Sequence, residues 1–197
     1  MSPRGPKVGR DRCTTAFALA LMLIHAPGGA TAQDQAAEKR GKVEAAFLRN
    51  FARYVTWPPA SFASDRSPWF VCILGDDHFD DTLERTFQGR TEQGRAFEVV
   101  RTRGPDSLAT CQIVYVGYDS TSKRRAVLNE LKSKPVLTVG DAPQFLEEGG
   151  IIRLIAGERI EMSINLDQAR AASLAIPAKM LEVSREVVEN GSLRRLR

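Results

Sequence analysis

Across residues 38–55 the apolar side chains Val43, Phe47, Phe51 and Tyr54 recur at helical spacing, with Leu48 and Val55 flanking the stripe. Lys42, Arg49, Asn50 and Arg53 fall on other faces, so the pattern predicts an amphipathic helix with one side in a core. Trp57-Pro58-Pro59 ends it, because proline lacks the amide a helix needs and restricts the residue before it. Phe70 to Leu74 is then a short continuous apolar run closed by Gly75, Asp76 and Asp77. A run of that kind predicts a strand buried on both faces. The form returns at 113–116 before Gly117 and at 135–139 before Gly140 and Asp141. Residues 96–101, with Val99 and Val100, make a further strand. Helices are predicted over 80–87 and 122–131, the second capped by Ser120, Thr121 or Ser122.

Beyond Gly140 a short helical piece is expected at 143–148, stopped by Gly149-Gly150. Residues 151–155 and 160–166 read as an antiparallel hairpin, since Ile160, Met162, Ile164 and Leu166 alternate with Glu161, Ser163 and Asn165. A helix starts at 167–172. Ile176, Met180, Val183 and Val187 then give the stripe of a last helix, with Pro177 in its first turn and an end near Asn190-Gly191. Strands alternating with helices imply an α/β, three-layer sandwich. Its sheet is mostly parallel, with the antiparallel C-terminal hairpin at its edge and helices on both faces.

The first 32 residues read differently. Arg4, Lys7, Arg10 and Arg12 precede an uncharged apolar segment over 14–24, and Ala30-Thr31-Ala32 supplies the small residues of a cleavage site. This is the order of a secretory signal, with cleavage expected after Ala32; a retained membrane anchor is the alternative. The whole chain holds 28 basic and 24 acidic residues. The leader has four and one of these, leaving 24 against 23, so bulk charge gives no case for nucleic acid. Residues 33–41 are expected to be a disordered polar arm, 42–190 a single domain, and 191–197, with Arg194, Arg195 and Arg197, a basic tail.

After the leader two cysteines remain, Cys72 and Cys111. In an exported chain an even pair favours a disulfide, and both border predicted strands. Two buried free thiols are the alternative. One histidine remains, His78, and no Gly-x-Ser-x-Gly, Gly-x-Gly-x-x-Gly or phosphate-loop motif is present. Nothing therefore signals catalysis, a metal or a cofactor. His78 beside Asp76, Asp77 and Asp80 could hold a cation or move a proton, but a solvated loop histidine near helix-capping acids is the simpler reading. Gly75, Gly117 and Gly140 could line a ligand crevice with Asp76, Asp77 and Asp141, or serve only as turns. A small-molecule receptor using that crevice is the second functional reading. Trp57, exposed near Arg49, Arg53 and Pro58, would suit a protein interface; buried, it would be core.

The run from Lys42-Val43-Glu44 through Phe47-Leu48-Arg49-Asn50-Phe51 to Tyr54-Val55-Thr56-Trp57-Pro58 resembles the opening signature of the YfiR family of periplasmic proteins. Cys72-Ile73-Leu74-Gly75-Asp76-Asp77, Pro135-Val136-Leu137-Thr138-Val139-Gly140-Asp141 and Ile164-Asn165-Leu166 follow in the family's order. The resemblance implies a non-catalytic periplasmic α/β protein. Its expected partner is the periplasmic sensor region of an inner-membrane diguanylate cyclase, which it holds off, lowering cyclic di-GMP. Release through envelope stress or an outer-membrane partner, a lipoprotein, would permit biofilm formation, and a homodimer is a further expectation. Cys72 and Cys111 match positions that the family uses for a disulfide; the additional bridge of some members has no cysteines here.

Overall fold

The computed structural model describes residues 1, 2, 5, 32–102, 104, 108 and 110–196. The chain divides into two units, 1–30 and 31–197, and the fold lies in the second. The expected leader falls almost wholly outside the described residues.

Helix α1 spans Ala32–Tyr54, so the polar arm expected at 33–41 is helical. A last amide bond from Val55 to the Phe51 carbonyl (2.9 Å) closes it, and the prolines enforce a short 3-10 turn at Pro59–Ser61. Its core-facing stripe differs from the expected one. Ala45, Leu48, Phe51, Ala52 and Val55 are the buried apolar positions, whereas Val43 and Tyr54 are 36% and 45% exposed. Small alanines let the helix lie close to the sheet, and a pattern weighted on large side chains passes over them.

Strands β1 (Trp69–Gly75), β2 (Phe97–Thr102), β3 (Ile113–Gly117), β4 (Leu137–Gly140), β5 (Ile152–Ile155), β6 (Glu161–Asn165), β7 (Glu186–Glu189) and β8 (Ser192–Arg195) form one sheet. Their order is β2-β1-β3-β4-β5-β6-β7-β8. Pairing is parallel except for β5 with β6 and β7 with β8. Alternation along β1 serves two cores. Trp69, Val71 and Ile73 pack in one cluster with α1, α2 (Thr82–Phe87), α4 (Leu166–Ala171) and α5 (Ala178–Glu182). Cys72 and Leu74 face Val127 and Leu128 of α3 (Thr121–Glu130) in the other. Ser120 caps α3, its hydroxyl accepting from the Lys123 amide. Cys72 and Cys111 form a disulfide with Cα atoms 6.1 Å apart, tying β1 to the approach of β3.

The C-terminal region departs from expectation. The β5–β6 hairpin exists but is internal, because β7 pairs parallel with β6. Residues 143–149 are turns, not a helix. Helix α5 stops at Glu182, and Val187 lies in β7, fully buried. Asn190 and Gly191 both take left-handed φ, 53° and 69°, and form the two-residue turn of a second hairpin. Asn-Gly adopts that geometry at low cost and matches strand twist. The Asp167 carboxylate accepts from both turn amides, at 2.9 and 2.8 Å. The expected basic tail, with Arg194 and Arg195, is therefore the edge strand β8.

Candidate functional site

In an order β2-β1-β3 the carboxyl ends of β1 and β3 flank the point where strand order reverses, a common ligand position. Gly75 and Gly117 are register partners there, and the Asp76 amide donates to the Gly117 carbonyl at 3.0 Å. A Cβ on Gly117 would stand 2.2 Å from the Asp76 carbonyl oxygen. One on Gly140 would stand 2.6 Å from the Phe145 ring. These glycines serve the chain's own close approaches.

The same strand ends are roofed. Phe79 is buried and meets Tyr115 edge-on at 5.0 Å. His78 stacks on Phe79 at 4.2 Å, and its Nε2 hydrogen-bonds the fully buried Glu44 carboxylate of α1. Glu44 also accepts from Arg40 Nε at 2.8 Å, and Arg40 reaches Asp141 at 2.7 Å. Asp77 accepts from the Phe79 amide (2.9 Å) and from Arg101 Nε (2.5 Å). Of the expected crevice residues, Asp77 and Asp141 are held by arginines and Gly140 lies against the Phe145 ring, while Gly75 and Asp76 stay exposed. Tyr115 is fully buried. Burial above all, then the Asp141 and Glu44 carboxylates, push its pKa far up. The Arg40–Glu44–His78 chain was not legible, since Glu44 reads as a surface acid until the helix is oriented. Among the described residues no group of three His, Cys, Asp or Glu side chains is gathered for a metal ion.

The helix-end corner is held together from within. Arg53 forks onto the Glu92 carboxylate at 2.9 and 3.1 Å, and Arg49 adds a contact at 2.7 Å. Burial alone would raise the Glu92 pKa; hydrogen bonds from Arg53 and Arg49 outweigh it and hold the carboxyl below its ordinary range. Trp57 is 7% exposed, a core ring, and Pro58 is half-buried. Arg53 remains exposed beside it.

The apolar side chains that α1 does not bury lie elsewhere. Phe47 and Tyr54 of α1, over the buried Phe51, line a cavity of about 170 Å³ with Met162, Met180 and Val183. Val183 is 51% exposed. A neighbouring cavity of about 160 Å³ shares Phe47 and Val183 and adds Ile160, with Arg159, Glu161 and Arg185 around it. An exposed apolar groove with a charged rim has the anatomy of a protein-binding surface.

A family model described as YfiR/HmsC-like matches residues 41–185. The chain belongs to the YfiR/HmsC-like family. The match takes in every element from most of α1 to the end of α5, and so includes the groove, the roofed strand ends and the disulfide. Among the described residues no helix is long and apolar enough to cross a membrane. Among solved structures, the chain is similar to an ABC domain from Streptococcus pneumonia crystallised with L-Trp. Identity is 14% over 61% of this chain and 55% of that one, with a TM-score of 0.45. The chain spans about half the length of that structure.

Proposed function

We propose that this YfiR/HmsC-like protein is exported to the periplasm, its leader cleaved after Ala32, and there restrains an inner-membrane diguanylate cyclase through the cyclase's periplasmic sensor region. The observation that carries the reading is the groove of α1, α5 and β6, where Phe47, Tyr54 and Val183 stay accessible in a family of cyclase regulators. Binding an apolar segment of the sensor there removes these side chains from water. Restraint requires tighter binding to the sensor's inactive state than to its active one. Arg53 and Pro58 are assigned the periphery of the footprint, and Trp57 supports it from the core. The protein acts by binding and performs no reaction of its own.

Co-expression with the membrane cyclase encoded beside it is expected to yield a complex on affinity purification and to lower cellular cyclic di-GMP. A deletion strain with unchanged cyclic di-GMP and no recoverable complex would sink the proposal.

A further inference from the structure

The sheet has two open edges, and they differ. β8 has four residues, all exposed, and carries Arg194 and Arg195. Short and charged is the form in which edges are protected from pairing. β2 has six residues, and its apolar side chains are left half-buried. Phe97 and Val99 lie on one face and Val100 on the other. Their register partners on β1, Trp69, Val71 and Cys72, are 1%, 0% and 0% exposed. The core therefore stops one strand short of complete at this end. Arg101, the cation on β2, is turned back onto Asp77, Glu84 and the Asp80 carbonyl. Among the described residues no further strand pairs with β2 beyond β1.

Beside this edge lies a cavity of about 610 Å³ between β2 and α2, with Phe87, Phe97 and Val99 among its walls. Asp81, Glu84, Arg85 and Arg90 stand around it, and Glu84 is taken by Arg101. Arg85 is taken by Asp81 at 2.7 Å; Arg90 has no ion-pair partner among the described residues.

The geometry points to strand addition: the β2 edge accepts an extended segment of a partner protein as a ninth strand. An added strand satisfies the outward backbone groups of 97–102, and its alternating side chains lie over β2 with the same period. One apolar side chain enters the cavity over Phe97 and Val99, and an acidic one reaches Arg90. This surface is separate from the α1 groove, and the inference does not depend on the cyclase as partner.

The test uses amide chemical shifts and hydrogen exchange of the exported protein. The probes are a short peptide alternating valine and glutamate, a version with lysine for glutamate, and a version with a central proline. The valine–glutamate peptide is expected to shift and protect amides within 97–102. The proline version, lacking a central donor, is expected to fail, and the lysine version to bind about fivefold more weakly. Arg90→Glu should reverse that order, with thermal unfolding confirming that the variant is folded. Unchanged 97–102 amides with every peptide would overturn the inference, as would changes confined to the Phe47 and Val183 groove. Equal binding of the proline version, or protection that rises with protein concentration alone and so marks a second copy, would do the same.

Discussion

The indoles of Trp57 and Trp69 meet edge to face, their ring centroids 5.0 Å apart and their planes at 70°. Trp69 donates its Nε1 to the Glu92 carbonyl at 2.9 Å, while Trp57 Nε1 is buried without a partner. Trp57→Ala should therefore cost about 3–5 kcal/mol, the range for emptying a buried aromatic site. Trp57→Phe keeps much of the ring and removes an unsatisfied donor, so its cost should stay below about 1.5 kcal/mol. Urea unfolding followed by circular dichroism separates the two; equal losses would refute the packing account.

Arg124 and Glu148 form a buried fork, with both nitrogen–oxygen distances at 2.7 Å. Hydrogen bonding from Arg124 holds the Glu148 carboxyl below its ordinary value of 4.5. A carboxyl depressed in the folded state adds stability that is fully present above its unfolded pKa and is lost as pH falls through the folded one. Stability should therefore decline as pH drops below about 4.5, and Glu148→Gln should flatten that acid limb. Glu148→Ala, which leaves Arg124 buried without its counter-charge, should cost about 3 kcal/mol at neutral pH. Unfolding midpoints from pH 7 down to about pH 3 read both effects.

The disulfide closes a loop with a sequence separation of 39. In the chain-entropy account such a loop contributes about 4 kcal/mol. A Cys72→Ser, Cys111→Ser double variant should lose about that much in denaturant titrations. Because the two residues are 0% and 3% exposed, the bridge in the folded protein should resist a mild reductant, and thiol release should follow unfolding. Rapid thiol release from the native state would contradict the burial.

Tyr54 and Val183 are exposed and lie outside the core, so Tyr54→Glu and Val183→Glu should change stability by no more than about 0.5 kcal/mol. Each should weaken binding of the cyclase sensor region by about tenfold or more, because a charge is placed in the groove. Trp57→Phe should leave binding unchanged. Calorimetry on the purified pair checks both; binding that survives in Tyr54→Glu and fails in Arg53→Ala would move the interface to the Trp57 corner.

Much of the sheet was legible in the residues themselves. β1 and β3 are apolar on both faces, β4 is apolar on one with buried Thr138 on the other, and each ends at a glycine, so near-continuous hydrophobicity marked them as central parallel strands. The C-terminal hairpin carried a local signal too, Asn190-Gly191, but a helical reading of Met180, Val183 and Val187 competed with it. Val187 is an inward strand residue and Val183 an outward cap. A spacing of three or four residues suits a helix, and it arises equally by chance across a turn between two short elements.

By itself the chain determined its class of fold and its family and left one possible disulfide pair, because these rest on local pattern, ordered motifs and cysteine number; the structure decided that the bridge forms. Tertiary structure alone decided which side of α1 faces water, since that depends on the alanines that fit against the sheet. It also decided which side chains meet at the strand ends, because Glu44 reaches His78 across 34 positions and Arg40 reaches Asp141 across 101. Pairings at such separations leave no periodicity in the sequence, and only the folded chain brings their charges within reach.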